Sequence, residues 1–178
     1  MSTAAPVSTR PSGIARWAAL GGVAYVVLFI VGVIVSDSGQ PDFDAPPAKV
    51  FRAHVDPDLV VQWLGPRNLT MTIDHYDCRT GGSYRYIHSR DGEEYGFNGT
   101  FHEVRPDELI VQTFTFEGFP DQVALEKLLL EDLGNGRTRL TATSLVDSFA
   151  DRDAFVASGM ETGVVEGYER LDDLLARN

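Results

Sequence analysis

The hydrophobic pattern of the chain changes its period twice, and each change predicts a different kind of element. A charge-free apolar run extends from Trp17 to Val35. Behind it, apolar residues recur at helical spacing over two short segments. Pro57 separates the two segments, and Asp56 can cap the second helix. The apolar faces of this bent helix pair consist of Val50, Phe51, His54, Val55, Leu59, Val60, Trp63 and Leu64.

A train of alternating segments follows and predicts a sheet. Apolar and polar residues alternate over residues 69–76, 81–88, 94–104, 108–118, 123–132 and 137–146. Glycine turns divide these segments, and Gly134-Asn135-Gly136 marks a hairpin before the last of them. The links are too short for the crossovers that parallel strands need, so the sequence predicts six antiparallel strands.

After Asp147 the helical period returns and predicts a long amphipathic C-terminal helix. The helix must cover the concave side of the sheet, because no other element is left to bury that face. Its apolar stripe consists of Phe155, Val156, Met160, Val164, Tyr168, Leu171, Leu174 and Leu175.

The charge-free run is the length of a membrane-spanning helix, since about 20 apolar residues cross the hydrocarbon core of a bilayer. We therefore expect a flexible tail at residues 1–13, a transmembrane helix at residues 14–36 and a linker at residues 37–42. A cleaved signal peptide and a buried element of the soluble fold are the alternatives, although Ser36-Asp37-Ser38 matches a cleavage site poorly. The sequence therefore predicts a single-pass membrane protein. Because basic residues lie on both sides of the run, the sequence leaves open on which side of the membrane the soluble domain lies.

Charge and cysteine content exclude several classes of function. The 178 residues carry 15 basic and 26 acidic side chains, a formal net charge of −11, which disfavours nucleic acid as a partner. The single cysteine, Cys78, cannot form a disulfide within the chain. The length allows one domain of ordinary size with a short appendage.

Four ordered motifs carry a resemblance to a known family. They are "FDAPPAKVFRAHVDPDLVVQWLGP" from Phe43, "RTGGSYRY", "GNGRTRLTATS" and "SGMETGVVEGYERLDDLLA". Residues 43–178 resemble the START-like (SRPBCC) superfamily, and within it the bacterial proteins similar to the C-terminal domain of the activator of Hsp90 ATPase. The resemblance implies an α+β helix-grip fold, a curved antiparallel sheet around a long C-terminal helix.

One segment departs from the pattern of that family. The first strand normally runs up to the "FDAP" motif, and here those positions read "SDSGQPD". Gly39, Pro41 and two aspartates all disfavour pairing in a sheet. We therefore expect a first strand that is short or missing, with a sheet edge that is exposed at the junction.

The fold that the resemblance implies has a cavity between the concave face of the sheet and the last helix. Aromatic and methionine side chains at inward positions suit a hydrophobic small molecule or lipid, although such a stripe also fits a filled core. The predicted lining consists of Trp63, Met71, Tyr84, Tyr86, Phe97, Phe101, Phe114, Phe116, Met160, Val164 and Tyr168.

Catalytic and metal-binding patterns are weak. The four histidines are dispersed, and on a strand His75 and Asp77 would share a face from which Cys78 points away. No cofactor or metal is predicted. Two functions stay open: a membrane-tethered module that holds a hydrophobic ligand, and a protein-interaction module of the co-chaperone type. An enzyme of the cyclase or hydratase type is third, and it needs His88 or His102 in the cavity with a polar partner. The candidate partners are Asn98, Gln112 and Tyr86.

Overall fold

The computed structural model describes residues 41–157 and 160–177 of the chain. The predicted tail, the predicted transmembrane helix at residues 14–36 and most of the predicted linker lie outside these ranges. Within them, no helix combines the length and the apolar character that crossing a bilayer requires.

Across residues 41–157 and 160–177, eleven elements follow one another in an order that agrees with the hydrophobic pattern. The strands are β1 (Asp42–Phe43), β2 (Thr70–Tyr76), β3 (Ser83–Arg90), β4 (Glu93–Arg105), β5 (Leu109–Phe116), β6 (Val123–Gly134) and β7 (Arg137–Leu145). The helices are α1 (Pro47–Val55), α2 (Pro57–Trp63), α3 (Phe149–Ala157) and α4 (Met160–Arg177). The seven strands form one sheet in the order β1-β7-β6-β5-β4-β3-β2, and every neighbouring pair is antiparallel. The predicted α+β helix-grip fold is confirmed.

The bent helix pair forms where the prolines and Asp56 predict it. Pro47 opens α1, where its missing N–H costs no hydrogen bond, and Pro57 opens α2 in the same way. The Asp56 carboxylate accepts a hydrogen bond of 3.1 Å from the Asp58 N–H and so caps α2. The Trp63 indole then donates to the Ala53 carbonyl at 2.8 Å, which joins the two helices.

The first strand is short in the part that the structure describes. Asp42 and Phe43 pair with Arg139 and Thr138 of β7, and the Leu140 N–H donates to the Pro41 carbonyl at 2.9 Å. A bidentate ion pair links the strand to the sheet: Arg139 Nε and Nη2 donate to Asp42 Oδ1 and Oδ2 at 2.8 and 3.1 Å. Of the segment with glycine, proline and aspartate, the described residues Pro41 and Asp42 thus pair with β7. Residues 36–40 lie outside the described ranges, so a short or missing first strand stays a prediction.

Part of the core lies at one end of the concave face. There α1 and β1 pack against the last turns of α4, and Leu171 is 0% exposed. The predicted apolar stripe of the C-terminal helix is divided between α3 and α4, and the side chains of Phe155, Val156 and Met160 lie outside the description. The core side chains at this end are Phe43, Val50, Phe51, Leu130, Leu140, Leu171, Leu174 and Leu175.

Candidate functional site

A cavity of about 550 Å³ lies between the concave face of the sheet and two helices, α2 and α4. Strands β2 to β7 form its floor, and the loop that follows α2 forms one wall together with the first turns of α4. The rim includes the exposed residues Asn68, from that loop, and Thr162, from α4. Its volume lies in the range of small-molecule pockets.

Aromatic rings cover much of the cavity wall. On the sheet, the Phe97 ring lies between Tyr86 and Phe114, with centroid distances of 5.2 and 5.5 Å. On the helical side, Trp63 of α2 stacks on Tyr168 of α4 at 6.4 Å. These flat apolar surfaces suit an aromatic or aliphatic ligand.

Seven of the eleven predicted pocket residues line the cavity. They are Trp63, Tyr84, Tyr86, Phe97, Phe114, Val164 and Tyr168. The backbone of Met160 lies in the first turn of α4, but its side chain is outside the description. Met71, Phe101 and Phe116 are not among the described lining residues.

Phe101, Met71 and Phe116 lie outside the cavity lining, in places that strand alternation does not predict. Phe101 is 1% exposed and packs against Tyr76 and Tyr84 in the core, with ring centroids at 5.6 and 5.2 Å. Met71 is half-buried on β2 at the edge of the sheet and contacts the core from there. Phe116 lies at the end of β5, where its ring contacts Phe97 and the exposed Phe119.

A row of polar residues crosses the floor of the cavity, and only Gln112 of this row was predicted from the sequence. Gln112 of β5 pairs with Glu126 of β6, which in turn pairs with Ser144 of β7. All three line the cavity, and the Gln112 amide donates to the Glu126 carboxylate at 2.9 Å. The available signal was Glu126 itself, a charged residue at an inward position of the segment "VALEKLLLED".

Burial changes the electrostatics of this row. It raises the pKa of Glu126, and the hydrogen bond from Gln112 offsets only part of that effect. Desolvation also raises the pKa of Tyr86, and the Glu126 charge adds to this increase. No ion pair joins Glu126 to a basic side chain in the described part of the chain.

Two buried histidines also line the cavity. His54 Nδ1 donates to the Val50 carbonyl at 2.8 Å, so its Nε2 carries a lone pair. Burial lowers the pKa of His54 to about 4, and burial likewise lowers the pKa of His88. The Nε2 atoms of both rings and the Ser144 hydroxyl are buried with no hydrogen-bond partner among the described residues. The cavity therefore contains unsatisfied polar atoms inside an apolar wall.

The fold divides the residues that an enzyme of the cyclase or hydratase type would need. His88, Gln112 and Tyr86 line the cavity. His102 is exposed, and the Asn98 amide donates to Glu117 at 3.2 Å, away from the described lining. His88 therefore has its candidate partners in the same cavity, while His102 and Asn98 do not belong to it.

Ionic contacts attach the wall loop to α4. The Arg67 backbone N–H donates to the Glu166 carboxylate at 2.7 Å, and its guanidinium pairs with Glu169 at 3.0 Å. In the opposite direction, Arg170 of α4 donates to the carbonyls of Gln62 and Gly65, at 2.6 and 3.2 Å. These contacts hold the rim in place over the cavity.

The remaining reactive groups give no sign of a metal site or a nucleophile. Within the described ranges, no three His, Cys, Asp or Glu side chains are grouped closely enough to hold a metal ion. Burial raises the pKa of the Cys78 thiol to about 12, which keeps it protonated at neutral pH.

Comparisons with known proteins agree with this architecture. A protein from Rhodobacter sphaeroides is 27% identical, with a TM-score of 0.70, and the alignment covers 78% of this chain and 91% of that one. A protein from Arthrobacter aurescens is 25% identical with a TM-score of 0.72, over 78% and 84% of the two chains. Protein CV1439 from Chromobacterium violaceum is 25% identical with a TM-score of 0.67, over 76% and 94%.

The comparison with protein families gives the assignment. No curated protein matches the chain significantly. The profile of the family described as Activator of Hsp90 ATPase homolog 1-like protein matches residues 44–176, which include all strands after β1 and the described helices except the last residue of α4. The chain therefore belongs to this family of START-like domains.

Proposed function

We propose that this domain binds a hydrophobic small molecule in the cavity between the sheet and α4. The observation that supports the proposal is the cavity of about 550 Å³, which aromatic rings line and which reaches the exposed rim at Asn68 and Thr162. A filled core of the same residues would leave no such volume, because protein interiors pack at the density of organic crystals. A drug-sized or lipid-sized apolar molecule fits a pocket of this size.

The charge-free run from Trp17 to Val35, within the predicted transmembrane helix at residues 14–36, supports a second part of the proposal. A helix of that length would hold the domain at a bilayer, where apolar ligands concentrate. The cavity and the membrane segment would then serve one purpose, since a tethered domain meets membrane-dissolved molecules without a search through water.

Ligand binding is tested with a neutral fluorescent probe and a matched pair of variants. Nile red should bind the unmodified full-length chain, and Val164→Phe should reduce that binding because the added ring occupies the cavity. Val123→Phe makes the same change at an exposed position of β6 and serves as the control. Failure of Nile red to bind the unmodified chain, with no small molecule retained in a native mass spectrum, would contradict the proposal.

Membrane attachment is tested independently of the ligand. The full-length chain should sediment with membranes and resist extraction by alkaline carbonate, whereas a chain that begins at Gln40 should remain in the supernatant. Recovery of the intact full-length chain in the soluble fraction would remove the tether and leave the ligand proposal standing.

A protein-interaction role is the second candidate, and exposed apolar side chains favour it. Leu125 of β6 and Leu145 of β7 are a cross-strand pair on the convex face, exposed by 42% and 44%. Val123 and Phe149 are exposed close to them in the sequence. An apolar group of this kind on a soluble domain is typical of a contact surface.

The family description suggests the partner for a first test of that role. If the chain acts as a co-chaperone, it should increase the ATP hydrolysis rate of a bacterial Hsp90, and Leu125→Asp should remove the increase without changing Nile red binding. An unchanged hydrolysis rate would contradict the role.

A further inference from the structure

Three polar groups of the cavity can accept hydrogen bonds from a ligand: the Glu126 carboxylate, His54 Nε2 and the Ser144 hydroxyl. The Glu126 carboxylate receives one described hydrogen bond, from the Gln112 amide, and the Nε2 lone pair of His54 receives none. The Ser144 hydroxyl is buried, at 6% exposure, and has no partner among the described residues. Buried polar atoms without partners are costly, so a ligand that donates hydrogen bonds would remove an existing penalty.

The charge inside the cavity is also unbalanced. Glu126 forms no ion pair with a described basic residue. Lys127, the next residue on β6, also borders the cavity, but it is exposed and forms no ion pair with Glu126. Most of the surroundings are apolar or aromatic, including Phe97 and Phe114. A carboxylate in such surroundings needs a cation, and aromatic faces attract one as well.

We propose that the ligand of this cavity is a hydrophobic amine whose protonated nitrogen binds at the row formed by Gln112, Glu126 and Ser144. This inference rests on the proposed ligand-binding function and specifies the chemical class of the ligand. The ammonium group donates to the Glu126 carboxylate and to the Ser144 hydroxyl, while Gln112 holds the carboxylate in place. The apolar part of the molecule lies against the aromatic wall of Tyr86, Phe97 and Phe114.

Three probes that differ only in their polar group test the inference. Phenylbutylamine, phenylbutanol and phenylbutyrate compete with Nile red for the full-length chain in lipid nanodiscs at pH 7.5, with empty nanodiscs as the blank. The amine should displace Nile red at a concentration at least about tenfold lower than the alcohol, because a charge-assisted hydrogen bond replaces a neutral one. The carboxylate should compete least, because it repels Glu126.

Variants of the polar row identify the group responsible. Glu126→Gln should remove the preference for the amine over the alcohol, while Glu131→Gln, an exposed position on the same strand, should keep the full preference. Ser144→Ala keeps the charge and should reduce the amine preference about threefold, since one hydrogen bond from the ammonium group is lost while its ion pair with Glu126 remains. This second variant tests the site even if Glu126→Gln does not fold.

The outcomes separate this inference from the function on which it rests. If Nile red and the alcohol bind but the amine has no advantage, the inference is wrong and the ligand-binding function stands. The same holds if Glu126→Gln retains the advantage. If neither Nile red nor any of the three probes binds, the ligand-binding function is overturned together with the inference.

Discussion

The two halves of α4 face the same sheet but have different surroundings. In the C-terminal half, Leu171, Leu174 and Leu175 are buried in the core that α1 and β1 complete. In the N-terminal half, Gly163, Val164 and Gly167 border the cavity. One amphipathic helix therefore closes a packed core at one end and an open pocket at the other.

The difference arises from what lies opposite each half. The C-terminal half meets the side chains of two additional elements, which fill the space beneath it. The N-terminal half meets the wall loop, and the two backbones lie close together: a Cβ added to Gly167 would lie 3.5 Å from the Gly65 nitrogen. A helix can thus carry a continuous apolar stripe and still leave a void.

The largest effect is expected from a charge in the packed half. Leu171→Asp should lower the free energy of unfolding by about 3 to 5 kcal/mol, because an unpaired carboxylate would lie in the core. Urea unfolding followed by circular dichroism measures the change. Leu125→Asp places the same charge at an exposed site and should cost little. Equal stability of the two variants would show that the C-terminal half is not packed.

A large effect of pH is expected at His54, on the border between the two regions. Burial holds its pKa at about 4, whereas the unfolded chain takes up the proton near pH 6.5. The unfolded state then binds more protons as the pH falls, so stability should be greatest above pH 6.5. It should decrease by up to about 3 kcal/mol toward pH 4.

Comparison with a variant isolates this contribution from the other titrating groups. His54→Phe keeps a ring beside Trp63 and should show a shallower loss of stability between pH 6.5 and pH 4. The exposed His102→Phe should keep the slope of the unmodified chain. Identical slopes for all three proteins would mean that His54 is not buried in its neutral form.

The wall loop of the open half should be sensitive to the loss of one glycine. Gly65 has a φ of +95°, and a Cβ added there would lie 2.3 Å from Cε1 of His88. Gly65→Ala should therefore cost about 2 to 3 kcal/mol, from backbone strain and from displacement of the ring. Gly92→Ala, at φ +86° with open space around it, isolates the strain and should cost about 1 kcal/mol. Thermal melts compare the two, and equal losses would rule out the close contact with His88.

The smallest change in stability should distinguish the two halves of α4 most directly. Val164→Phe adds volume beside the cavity and should change the free energy of unfolding by less than about 0.5 kcal/mol, because the void accepts the ring. Leu174→Phe adds volume in the packed half and should cost about 1 to 3 kcal/mol. Urea titrations measure both, and equal costs would mean that the cavity is filled in solution.

The sequence by itself determined the elements and their order. Strand alternation between residues 69 and 146, the proline breaks around α1 and α2, and the helical stripe that ends at Leu175 are local signals. They agree with the strands and helices of the structure to within a few residues. Short links and the hairpin at Asn135 then left an antiparallel sheet with one helix to cover it.

Only the tertiary structure decided which inward residues border a void. Phe101 and Phe97 both point inward on β4, yet Phe101 is core and Phe97 lines the cavity. Likewise, Gln112, Glu126 and Ser144 come from three segments, and only the register of β5, β6 and β7 brings them together. Alternation specifies the face of a strand, but a void depends on how far the opposing helix lies from that face. That distance depends on contacts between residues far apart in the chain.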